Sequence, residues 1–148
     1  FYAMYGIGVY TVARYKVVWK RMANDIIAAV ISQYKTLINY KMNIPSDTTS
    51  IFPLDNENEA HYLCAIINSG PVREFVKSYS SAGRGFGAPS VMNHIAIPQF
   101  DIKNTLHSNL AQLSSNLHAY KQQWDLDKLE PLEKEVDHRV RELFGISI

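Results

Sequence analysis

Apolar and polar positions alternate along residues 9–20. Val9, Thr11, Ala13, Tyr15, Val17 and Trp19 fall on one side of an extended chain, and Tyr10, Val12, Arg14, Lys16, Val18 and Lys20 on the other. The first set is mostly apolar and the second holds all the charge, a two-residue period that predicts a strand with one face toward a core. Asp25–Ser32 is a short apolar run of strand length. Thr36–Lys41 and Thr48–Leu54 predict further strands, separated by the turn residues Pro45, Ser46 and Asp47.

The period then changes to that of a helix. Asn56 is a good N-cap, with Glu59 three residues on, and Ala60, Leu63, Cys64 and Ile67 would line one face. Asn68-Ser69-Gly70 ends this helix, and Pro71 suits the first position of the next. There Val72, Phe75, Val76 and Tyr79 follow the i, i+3, i+4, i+7 rule and predict one buried stripe. Residues 80–90 (SSAGRGFGAPS) read as a loop, and His94–Pro98 as a final strand. Leu106, Leu110, Leu113, Leu117, Tyr120 and Trp124 then form a heptad seam. A last helix would turn Leu129, Leu132, Val136, Val140 and Leu143 inward and stop at Gly145. The expected fold is α+β: a twisted, mainly antiparallel sheet with two packed helices over residues 1–103, then a helical hairpin over residues 104–148 that is either a packing element or a docking arm.

The chain has 148 residues, enough for a sizeable core, and 47% of them are apolar. No apolar run approaches the roughly 20 residues of a membrane span. One cysteine, Cys64, excludes an internal disulfide framework and fits a reducing, cytoplasmic setting. The first residue is Phe1 rather than Met, so a piece of a longer polypeptide is expected.

Net charge is only +1, but it is unevenly spread: residues 1–41 hold six Lys/Arg and one acid, and residues 42–70 hold four acids and no Lys/Arg. The basic segment also holds eight of the 17 aromatics. Arg14, Lys16, Lys20, Arg21 and Lys35 among these tyrosines could hold phosphates, as Lys and Arg do in nucleic-acid interfaces, or form the polar outer side of an ordinary sheet. Arg84 stands between glycines in Gly83-Arg84-Gly85-Phe86-Gly87, where its guanidinium could reach guanine O6 and N7 in a bidentate fork, or belong to a plain surface loop.

Other chemistry is poorly represented. His61, Cys64 and His94 do not make the four-ligand set of a structural zinc site, so no metal is expected. The chain has no G-x-S-x-G elbow, no H-E-x-x-H and no P-loop. The carboxylates of residues 125–142 alternate with Lys and Arg, as on a solvated helix face.

Several segments together carry a resemblance. KVVWK at Lys16–Lys20, ENEAHYLCAIINS at Glu57–Ser69, the loop Gly83–Ser90 and IAIPQFD at Ile95–Asp101 occur in one order. In that order they resemble the C-terminal specificity domain, or target-recognition domain, of TaqI-like adenine-specific DNA methyltransferases of restriction-modification systems; type I specificity subunits share a similar element. The resemblance implies a domain that reads a short double-stranded DNA sequence for a covalently linked or associated methyltransferase domain. That domain would carry S-adenosylmethionine and an Asn/Asp-Pro-Pro-aromatic motif, which is missing here. The fragment alone is therefore expected to be no enzyme and to hold no cofactor, and Arg14, Lys16, Lys20, Arg21, Lys35 and Arg84 are its expected DNA contacts. A protein-interaction module, docking or dimerising through the C-terminal heptad helices, is the alternative.

Overall fold

The computed structural model describes residues 8–79 and 89–147. Three antiparallel strands, β1 (Tyr15–Lys20), β2 (Ala28–Ser32) and β5 (Thr49–Leu54), form a sheet in the order β2-β1-β5. A separate two-stranded ribbon, β3 (Tyr34–Lys35) and β4 (Tyr40–Lys41), is inserted between β2 and β5. Helices α1 (Glu57–Asn68), α2 (Gly70–Tyr79), α3 (Pro89–Met92), α4 (Thr105–Gln122) and α5 (Leu129–Phe144) complete the α+β fold. Among the described residues no helix is long and apolar enough to cross a membrane.

The expected long first strand is shorter than the alternation implies. Residues Val9–Val12 form a 3-10 turn, because Thr11 competes locally for the backbone: its Oγ1 accepts from the Gly8 N–H at 3.1 Å and its N–H donates to the Gly8 carbonyl at 2.9 Å. From Tyr15 onward the apolar face is where the alternation puts it, although Lys16 on the other side is buried as well. Val17 and Trp19 are buried with Tyr15 packed beside them, and the register sets Val17 opposite both Val30 and Phe52.

Helix α1 starts where its cap is, with Asn56 Oδ1 accepting from the N–H groups of Asn58 and Glu59 at 2.8 and 3.2 Å. Its burial exceeds a single face: every residue from Ala60 to Ile67 is buried. The sheet covers one side of α1 and α4 the opposite side. In α2 only Val72 and Val76 are buried, whereas Phe75 and Tyr79 stack on each other in solvent.

The C-terminal helices share the core of the sheet and α1. Leu110, Ala111, Val136 and Val140 belong to the same buried cluster as Val17 and Ile66, with Leu106, Leu113 and Leu117 packed against it. Helix α5 also supplies the cap that α2 lacks: Asp137 Oδ1 accepts from the Gly70 N–H at 2.7 Å. A Cβ on Gly70 would meet the Asp137 carboxylate at 2.8 Å, so a larger residue here would push that side chain aside and disturb the cap. Gly145 ends α5 in the left-handed conformation (φ 63°), as its position predicts.

The expected strand at His94–Pro98 is absent. This segment is irregular: the Ile97 N–H turns back to the Ile95 carbonyl at 2.8 Å, Ile95 and Ile97 pack against the core, and the Tyr62 hydroxyl donates to the Pro98 carbonyl at 3.0 Å. Neither outer strand leaves it room to pair. On β2, the Ala28 N–H donates to Asn68 Oδ1 at 2.8 Å and the Val30 N–H to His118 Nε2 at 3.0 Å. On β5, the outward positions alternate as Thr49, Ile51 and Pro53; Thr49 donates to the Ser46 carbonyl at 3.0 Å and Pro53 has no N–H.

Candidate nucleic-acid interface

Four of the expected cations are exposed beside the strands. Arg14 precedes β1 and lies over the ring of Tyr15, 5.3 Å from its centroid. Lys20 ends β1. Arg21 follows it, with its N–H bonded to the Thr48 carbonyl at 3.0 Å and its guanidinium to the Asp47 carbonyl at 3.3 Å. Lys35 sits on the ribbon. These four side chains are exposed.

Lys16 is not among them. The expectation that Arg14, Lys16 and Lys20 share a solvent face is corrected: Lys16 is 1% exposed and its Nζ donates to the Ala13 carbonyl at 2.7 Å. The 3-10 turn bears on this, because Ala13, the residue that follows it, offers its carbonyl to the buried ammonium. Burial lowers the Lys16 pKa from its ordinary value.

The structure also divides the remaining cations between two ends of the sheet. Tyr15 pairs with Ser32, so the chain leaves β2 for the ribbon at the Arg14 end of β1. Arg14 and Lys35 thus belong to one end, and Lys20 and Arg21 to the other, roughly 17 Å away along a six-residue strand. Arg84 lies outside the described residues. Arg73 and Lys77, which add positive charge to the sequence beyond residue 70, are committed elsewhere: both pair with Asp25, Lys77 at 3.5 Å.

One arrangement was missed in the sequence. Lys41 is exposed opposite Tyr34, so the ribbon carries two lysines and two tyrosines in the cross-strand pairs Tyr34–Lys41 and Lys35–Tyr40. The repeated Tyr-Lys dipeptide, at Tyr34-Lys35 and Tyr40-Lys41, is the signal that could have found it. On α5, Glu130, Glu133 and Glu142 are exposed beside Lys134, the solvated mixed-charge face that the sequence implies.

The possible chemical centres are interior. His61 Nδ1 lies 3.2 Å from Ser114 Oγ, and the ring of His61 meets that of His118 edge-on at 5.0 Å. Ser114 is 2% exposed, which removes it from any substrate. His118 accepts from Val30 at Nε2, so its proton is on Nδ1 and is donated to the Ser114 carbonyl at 2.7 Å. His94 sits apart, against Tyr79 at 4.3 Å. Among the described residues no group of three His, Cys, Asp or Glu side chains is placed to hold a metal ion.

Comparison with protein-family models, with curated proteins and with solved structures finds no match to this chain.

Proposed function

We propose that this chain is a double-stranded DNA target-recognition domain of a restriction-modification adenine methyltransferase, non-catalytic by itself and serving a methyltransferase domain that binds S-adenosylmethionine. The observation that carries the reading is the run of exposed cations from Arg14 to Lys41, interrupted in sequence by Asp25 alone. Arg14, Lys20, Arg21, Lys35 and Lys41 are all exposed, and no Asp or Glu occurs between Ile26 and Ser46. A polyanion approaching the ribbon between β2 and β5 meets Lys35 and Lys41 with no carboxylate in the segment. The ordered segments from Lys16 to Asp101 that resemble the TaqI-like specificity domain supply the kind of polyanion. Two clusters about 17 Å apart suit a duplex, whose phosphates on either side of a groove are separated by a comparable span.

The test is a salt titration of duplex binding by fluorescence anisotropy. Affinity should fall steeply with salt, and Lys20→Ala/Arg21→Ala should reduce the logarithmic slope by about two. The reading fails if the chain binds no duplex at low ionic strength, or binds with no dependence on salt.

A further inference from the structure

The ribbon ends in a turn that neither local chemistry nor packing explains. Thr36 and Asn39 close it, with the Thr36 N–H donating to the Asn39 carbonyl at 2.7 Å and the Asn39 N–H donating to Thr36 Oγ1 at 3.0 Å. The two residues at the tip are Leu37, 105% exposed, and Ile38, 96% exposed. Two-residue hairpin loops favour Asn, Asp and Gly, and a β-branched aliphatic at such a tip gains nothing from the fold. Two large apolar side chains are therefore held in water at the tip of the ribbon. The base of the ribbon is anchored, since Asn43 Nδ2 donates to the Ser32 carbonyl at 2.7 Å.

The faces of the ribbon carry a second pattern. Tyr34 and Lys41 oppose each other across the ladder and share one face; Lys35 and Tyr40 share the other. Each face presents one ammonium and one phenol. A ribbon entering a nucleic-acid groove tip first has a wall of phosphates on each side, and this arrangement gives each wall a cation and a hydroxyl.

We infer that the ribbon enters the major groove of duplex DNA, with Leu37 and Ile38 against the C5-methyl groups of thymine and Lys35 and Lys41 on the phosphates of the two walls. Width selects the groove: a ribbon with its side chains is about 10 Å thick, which fits a major groove about 12 Å wide but not a minor groove about 6 Å wide. The thymine methyl is the apolar group that this groove offers. This inference rests on the duplex-DNA reading above and adds to it the element that reads bases and the base that it favours.

The test uses the whole chain and two short duplexes of the same mixed sequence, one with every thymine replaced by deoxyuridine, which removes only the C5-methyl. The thymine duplex should bind more tightly, by about fourfold for each methyl buried. Leu37→Ser/Ile38→Ser, at exposed positions that leave the core untouched, should bind both duplexes more weakly and equally. Lys35→Ala/Lys41→Ala should keep the thymine preference and lose about two from the salt slope. Equal binding of the two duplexes by the unaltered chain, or a thymine preference that survives in the tip variant, overturns the inference while leaving DNA binding intact. Failure of the unaltered chain to bind either duplex removes both readings. Co-sedimentation with phosphatidylserine vesicles that is lost in the tip variant, without duplex binding, would assign the ribbon to a lipid surface and also overturn it.

Discussion

Asp25 and Arg73 join the segment that leads into β2 to the solvent side of α2. The Arg73 guanidinium spans both carboxylate oxygens of Asp25, Lys77 approaches at 3.5 Å, and the Ile26 N–H donates to the same carboxylate at 2.8 Å. The pairing with Arg73 holds the Asp25 carboxyl below its ordinary value of 3.8. Stability from this group is therefore present above that value and is lost as pH falls through the lower, folded value. Asp25→Asn should cost about 1 kcal/mol, because the pair is partly exposed and screened by water. Urea unfolding should show the cost shrinking at high salt; an unchanged cost would mean that packing, not charge, links the two elements.

Asn68 acts as a surrogate strand. Its amide accepts from the Ala28 N–H at 2.8 Å and donates to the Ala28 carbonyl at 2.9 Å. Asn68→Ala strands both groups at a buried residue and should cost about 3 kcal/mol. Asn68→Asp keeps the acceptor but sets a carboxylate against a carbonyl, so its deficit should grow as pH rises through the carboxyl range. Equilibrium unfolding of both variants at two pH values checks the pair.

His61 makes stability depend on mild acid. Burial first, and the neighbouring charge of His118 second, lower its pKa from 6.5 to about 4. The folded state keeps the ring neutral while the unfolded chain takes up a proton, so stability falls as pH drops from 6.5 toward 4 and this contribution is constant below that. The full loss is up to about 3 kcal/mol. His61→Gln, which can still bond Ser114, should flatten the dependence; a wild-type melting temperature that does not change across this range contradicts the assignment.

Cys64 is the sole thiol of the chain, fully buried in α1, and burial pushes its pKa up to about 12. A thiol reagent should leave the native protein unmodified and react at once in denaturant. Reaction under native conditions should occur only at the frequency of opening of α1, so fast labelling would show that the sheet and α4 do not enclose that helix.

What was legible in the sequence was local. Asn56, Gly145 and the Val17/Trp19 alternation act within a few residues of themselves, and each stands where expected. The misreadings involve distant partners. Lys16 continues the polar side of an alternating pattern, yet the backbone folds back at Thr11 and encloses it. Ile95 and Ile97 have the period of a strand, but the sheet edges are already taken by Asn68 and His118, residues 40 and 88 positions away from their β2 partners. One-sided burial of α1 was the expectation from its own periodicity; nothing within that helix announces that α4 returns to cover its other side. Among the candidate contact residues, composition located the basic segment, while the strand register decided which cations are neighbours.

Pro53 and the side chains that occupy β2 together oppose extension of the three-stranded sheet by a visiting peptide. Strand addition and edge-to-edge stacking are hindered at these positions of the three-stranded sheet. A chain of this kind can display apolar residues at Leu37 and Ile38 with less risk that its own copies polymerise on the sheet.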